Sequence, residues 1–241
     1  MYRFSAIAAV AITVLITAGY VRAEEAPAII NDRVQPALPV TGKQFSFVFD
    51  DGPLPESTPV LLAALKQANM KATFAVVGKN VSAHPDLARQ IVAEGHEIAN
   101  RSWSNIEMAE LPIEEVTKEI QAGYDIIVKT TGVKPRFFRP PASQSTPDID
   151  AAAAKFGMLV LMHSFDSGDW RKPASGEVTR LILTGITPGA IISLHESFPE
   201  SVAEMPRIIE TLSKRGFQSF TVSELKSKAG VRFVASSSAN E

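Results

Sequence analysis

Residues 45–53, Phe45-Ser46-Phe47-Val48-Phe49-Asp50-Asp51-Gly52-Pro53, constrain this chain more than any other stretch. Aromatic and β-branched residues pack well on a pleated surface, so the apolar run predicts a buried strand. The run stops at two adjacent carboxylates, and Gly52-Pro53 then turns the chain. Neighbouring carboxylates repel, and both ionise only where a cation, an arginine or a shared proton relieves them. A single aspartate at such a point often caps a helix. A pair at the end of a buried strand points to a site.

Beyond this strand the pattern alternates. Helical spacing is expected over residues 57–68, 85–94, 113–130, 148–156, 176–183, 202–214 and 223–228. Strands are expected over 72–77, 97–99, 137–138, 158–162, 190–194 and 217–222. Gly132 follows the third helix as a C-terminal stop and Pro112 precedes it. About seven strands alternating with helices predict a parallel sheet wrapped by helices. A single distorted (β/α)7-type barrel fits the repeat number better than an open sheet. Asp50-Asp51, Arg101 with Asn105, Arg139, Asp166 with Asp169, and His195 all fall just beyond the ends of different strands. In a β/α barrel those ends converge on one face.

The N-terminus reads as a secretory signal peptide over residues 1–23. Tyr2-Arg3 is its basic start, residues 4–19 its apolar run, and Val21-Arg22-Ala23 its cleavage site. The run is short for a bilayer span, so an exported protein with no transmembrane anchor after cleavage is expected, periplasmic or secreted. Residues 24–43 form an extended lead-in, 44–228 one domain and 229–241 a flexible tail. With 24 basic and 26 acidic residues the charge is nearly balanced, which argues against a nucleic-acid partner. There is no cysteine, so disulfides, thiolate metal sites and cysteine nucleophiles are excluded. A monomer is expected.

Five motifs then carry a resemblance: Phe49-Asp50-Asp51-Gly52-Pro53, Gly95-His96-Glu97-Ile98-Ala99-Asn100, Arg139-Pro140-Pro141, Asp166-Ser167-Gly168-Asp169-Trp170 and Ile192-Ser193-Leu194-His195. Their types and order resemble the polysaccharide deacetylases, the NodB-homology group or carbohydrate esterase family 4, over residues 45–225. The resemblance implies a hydrolase that removes acetyl groups from N-acetylglucosamine polymers such as chitin oligomers or peptidoglycan. It also implies a divalent metal, zinc or cobalt, that polarises the substrate carbonyl and activates a water. Carried over, Asp50 would be the general base, Asp51 a metal ligand and Arg139 the cation holding Asp50. His195 would be the general acid and Asp169 its orienting carboxylate. Trp170 and Pro141 would line the substrate cleft.

One motif departs from the family. Its two metal-binding histidines, four residues apart, fall in register on Arg101 and Asn105. Catalytic zinc typically needs three protein ligands and a water. Two unit charges at about 4 Å interact by roughly 4 kcal/mol at an effective dielectric near 20, and a divalent ion doubles that. An inward Arg101 and a metal therefore exclude one another, and Arg101 is expected within ion-pair reach of Asp51. Of the remaining histidines, His96 reads as buried and structural and His84 as surface; His163 follows a strand end within reach of the cleft, but rim packing or a cap is the expected role. Asp166 reads as a turn cap and Trp103 as core.

Two functions follow. One is hydrolysis of the N-acetyl amide; the other is a catalytically silent relative that binds glycan or a cell-wall partner. A metal-free glycosidase would need a second carboxylate about 5–10 Å from Asp50, and nothing else in the sequence favours it.

Overall fold

A computed structural model describes residues 36–231 of the chain. The expected signal peptide, most of the lead-in and most of the tail lie outside the described residues. The order is β1 (Gln44–Asp50), α1 (Thr58–Gln67), β2 (Thr73–Val76), α2 (Gly78–Ala83), α3 (Pro85–Ala93), β3 (Glu97–Asn100), α4 (Ile113–Thr131) and β4 (Phe137–Phe138). Then come α5 (Pro147–Ala154), β5 (Leu159–Val160), β6 (Phe165–Asp166), α6 (Glu177–Gly185), β7 (Ile191–His195), α7 (Pro199–Lys214), β8 (Gln218–Ser219) and α8 (Val222–Lys228).

The strands form one parallel sheet in the order β5-β4-β3-β2-β1-β7-β6, with β8 pairing the start of β1. The edge strands β5 and β6 follow one another in sequence and do not pair, so the barrel is curled but not closed. Strand β1 is an interior strand, flanked by β2 and β7. Side chains alternate between the two faces of a strand. Phe45, Phe47 and Phe49 accordingly join Leu61, Leu65 and Ile208 in the core beneath the helices. Each fully buried phenylalanine contributes on the order of 2–3 kcal/mol. Ser46, Val48 and Asp50 take the opposite face, where Val48 meets Ala75, Ala99, Phe137 and Leu161. The pleat thus sends Asp50 into the barrel's interior at its C-terminal rim.

Several boundaries differ from the sequence expectation. Residues 78–83 form a separate helix, α2, and His84 sits half-buried in the break before α3 rather than on the surface. The strand expected over 158–162 is only Leu159–Val160, because it is a half-buried edge. Residues 163–170 contain a short strand, β6, that pairs with β7. Helix α7 begins at Pro199, three residues early, because proline's fixed φ suits a first turn. The last strand shrinks to Gln218–Ser219 because Thr221 and Glu224 form a capping box that starts α8. Within the lead-in, Leu38 is buried and its N–H donates to Gly189 O at 2.9 Å. No helix among the described residues is long and apolar enough to cross a membrane.

Candidate functional site

Adjacent strand residues ordinarily point to opposite faces, so Asp50 and Asp51 could not share a cleft if β1 simply continued. Asp51 breaks the alternation with φ 74°, in the left-handed region. Gly52 then packs against the next strand's exit: a Cβ there would fall 1.9 Å from Glu196 Oε1. Both carboxylates therefore turn toward the rim where β3, β4 and β7 end.

Register brings the partners. Asp50 pairs with His195 across β1 and β7, and Asn100 with Phe138 across β3 and β4, which sets Arg101 beside Arg139. Arg139 is fully buried and grips Asp50, with Nε 3.3 Å from both carboxylate oxygens and Nη2 3.2 Å from Oδ2. Ser193, two residues before His195 and so on the same face of β7, donates to Asp50 Oδ2 at 3.0 Å. Arg101 Nη1 lies 3.4 Å from Asp50 Oδ1. Burial alone would raise the Asp50 pKa, but Arg101, Arg139, His195 and Ser193 together hold it at about 2. His195 Nδ1 meets Asp169 Oδ1 at 2.8 Å, its backbone N–H donates to Asp169 Oδ2 at 2.7 Å, and its Nε2 lies 3.7 Å from Asp50 Oδ2. Burial pulls the imidazole's pKa down, yet the Asp169 hydrogen bond and the charges of Asp50, Asp169 and Asp51 bring it above its ordinary value.

Arg101 and Asn105 meet Asp51. Arg101 Nε donates to Asp51 Oδ1 at 2.9 Å, which is the expected ion pair, and Asn105 Nδ2 donates to the same oxygen at 3.0 Å. Ser197 Oγ donates to Asp51 Oδ2. Three carboxylates, Asp50, Asp51 and Asp169, thus face the guanidinium groups of Arg101 and Arg139 and the imidazole of His195. These donors do not fit a divalent ion. Both oxygens of Asp51 are engaged, a guanidinium stands against one of them, and the described residues hold no group of three histidine, cysteine or carboxylate side chains arranged for a metal.

Pro141 is buried at the start of a short 3-10 turn after β4. Trp170 is 50% exposed, its Nε1 donates to Asp166 Oδ2 at 3.1 Å and the Arg171 guanidinium lies 4.7 Å from its ring. Asp166 also accepts from Gly168 N at 2.9 Å, so it shapes its own turn at the rim. Trp103 is half-buried and packs on Gly78. His96 is buried and accepts from Ala72 N through Nδ1 at 3.2 Å; burial and Lys71 lower its pKa to about 4.

The sequence reading missed four residues here. Ser193 and Ser197 flank His195, and the strand's period of two would have flagged Ser193. His163, assigned to rim packing, lies with Nδ1 3.2 Å from Arg139 Nη2. A guanidinium only donates, so Nδ1 accepts and the ring proton sits on Nε2. Burial and Arg139 keep this imidazole's pKa low.

Glu196 is the fourth. It is fully buried without a cation, its Oε2 accepts from Thr58 Oγ1, and its Oε1 has no partner. Burial, with smaller contributions from Asp51 and Asp50, raises its pKa to about 8. The sign follows. From about pH 4.5 to 8 the unfolded chain loses this proton while the folded chain keeps it, so stability falls as pH rises through that window. Glu196→Gln, which cannot ionise, should therefore gain on the unaltered chain by a few kcal/mol between pH 5 and 8. Urea unfolding across that range checks this; a pH-independent difference would contradict it.

Comparison with known proteins adds four findings. Residues 38–161 match the family model for polysaccharide deacetylase. The peptidoglycan-N-acetylglucosamine deacetylase PgdA of Listeria monocytogenes is 31% identical over 185 residues, covering 77% of this chain and 39% of the relative. The chain thus spans about two fifths of that protein's length. A chitooligosaccharide deacetylase from Bradyrhizobium is 34% identical over 185 residues, covering 70% of this chain and 84% of the relative. Among solved structures, a pseudoenzyme of carbohydrate esterase family 4 from Bacillus anthracis superposes with a TM-score of 0.71 at 26% identity, over 77% of this chain and 66% of that one.

Proposed function

The chain belongs to the polysaccharide deacetylase family, and we propose that it binds N-acetylated glycans in this cleft without the family's metal-dependent hydrolysis. The observation that carries this reading is the capped Asp51, whose Oδ1 is held by Arg101 Nε and Asn105 Nδ2. These two residues fall where the family's paired histidines are expected. A guanidinium supplies positive charge and hydrogen bonds, but it does not generate a hydroxide as zinc does. Asp50 points the same way: a carboxylate held near pKa 2 is a weak proton acceptor at neutral pH. The expected signal peptide, and relatives described as peptidoglycan deacetylases, support a cell-wall or periplasmic glycan as the ligand.

A second reading, acetyl hydrolysis, is favoured by the intact Asp169–His195–Asp50 arrangement. In it Asp50 would take a proton from water, with Arg139 holding Asp50 in place. His195 would protonate the departing amine while Asp169 orients its ring.

Calorimetric titration of the full chain with the tetramer of N-acetylglucosamine, paired with an acetate assay with and without added zinc or cobalt, separates the two. Binding without acetate is expected. Metal-dependent acetate release would establish hydrolysis instead, and no binding would remove the glycan reading.

A further inference from the structure

Residues 161–164 cross the open seam of the barrel between β5 and β6. On the β4 side Leu161 N–H donates to Phe138 O at 2.8 Å, and on the β7 side Ser164 N–H donates to Ile191 O at 2.9 Å. Arg139 reaches this crossing as well, donating to Leu161 O at 3.3 Å and to His163 Nδ1 at 3.2 Å. His163 is thereby held at the rim, half-buried, against the guanidinium that grips Asp50.

That contact decides the state of the ring. With Nδ1 committed as an acceptor, the proton stands on Nε2. Burial and the Arg139 charge lower the imidazole's pKa, so the ring is neutral at neutral pH. No described residue accepts from Nε2, and this nitrogen reaches solvent, unlike the sealed Glu196 Oε1. His163 presents a neutral N–H donor whose direction is fixed from behind by Arg139.

The surroundings limit what this donor can meet. The charges of Arg139 and His195 are answered by Asp50 and Asp169. The unanswered charge bearing on the ring is that of Asp166, which is exposed and accepts only from Gly168 N and Trp170 Nε1. A ligand carboxylate or phosphate at Nε2 meets that negative charge, and an ammonium finds no acceptor on Nε2. A hydroxyl accepts from Nε2–H and keeps its own proton to offer to a carboxylate. We propose that His163 contacts the bound glycan directly, its Nε2–H donating to a hydroxyl oxygen of a sugar ring. The inference rests on the glycan reading above and adds to it a binding residue on the β5–β6 seam, apart from Asp51 and its partners.

Two measurements on the full chain test it. In histidine-ring 15N spectra, His163 should show the neutral form protonated on Nε2. Its Nε2–H signal should shift on saturation with the tetramer of N-acetylglucosamine, while His96, at the opposite end of β3, stays in place. His163→Asn keeps an oxygen acceptor for Arg139 but has no donor where Nε2 stood. Its affinity for the tetramer should fall about 3- to 10-fold, with the urea midpoint unchanged. A tetramer that binds without moving the His163 signal overturns the proposal and leaves the glycan reading standing, and so does equal affinity in the variant. The spectra are read on the unaltered chain, so they decide the matter even where the variant is unstable. Failure of the tetramer to bind the unaltered chain overturns the proposal together with the glycan reading.

Discussion

Arg139→Leu should destabilise the folded chain by about 3–5 kcal/mol, the cost typical of removing one partner from a buried ion pair. Arg139 is among the largest fully buried side chains, and it bonds Asp50, Ser193, Leu161 O and His163. Its loss leaves Asp50 in the barrel interior with only Arg101, at 3.4 Å, and His195, at 3.7 Å, as nearby cations. Because Asp50 has a folded pKa near 2, its contribution to stability is present above about pH 4 and is lost as pH falls through about 2. Weakening its partners raises that folded pKa, so acid unfolding should begin at higher pH in the variant. Urea unfolding measures the first effect and an acid titration the second. Replacing Asp50 and Arg139 together by leucine should recover a substantial part of the loss, since a buried pair exchanged for apolar residues is often neutral. A single variant within about 1 kcal/mol of the unaltered chain would contradict this account of the pair.

The second large effect is a gain. Arg101→His with Asn105→His removes the guanidinium from Asp51 and supplies two imidazoles at the rim of the same cleft. One carboxylate and two imidazoles make the three protein ligands that a catalytic zinc usually has. The double variant is expected to take up one zinc per chain and, with Asp50, Asp169 and His195 untouched, to release acetate from N-acetylglucosamine oligomers in a zinc-dependent way. Zinc uptake without acetate would show that the acid–base groups have drifted from a working arrangement. No zinc uptake would show that Arg101 is not what keeps the ion out.

The parallel barrel and its rim were legible because they rest on signals that short stretches of sequence carry. The aromatic run of β1 and the glycine and proline punctuation fix the strand ends, and strand ends fix which residues meet. The Arg101–Asp51 contact was legible for the same reason: both residues lie just past the ends of strands, on the face where those ends converge. Helix α2 was not, because six residues containing a glycine carry too little periodicity to separate from a loop. His163 and Glu196 were missed for a different cause. Their roles depend on what lies across the barrel, Arg139 for one and Thr58 with Gly52 for the other, and no local pattern encodes a partner so far along the chain. The left-handed backbone at Asp51 was hidden too, since an aspartate before Gly-Pro reads as an ordinary turn.

Under the glycan-binding proposal, the Arg101 guanidinium on Asp51 takes the place of a metal ion. Calorimetric titration of zinc into the unaltered full chain at neutral pH tests it most directly. The structure predicts no binding of one zinc per chain at the cleft, with the same result after Asp51→Asn. Uptake of one zinc per chain that is abolished by Asp51→Asn would contradict it, because Asp51 would then hold a metal in spite of Arg101.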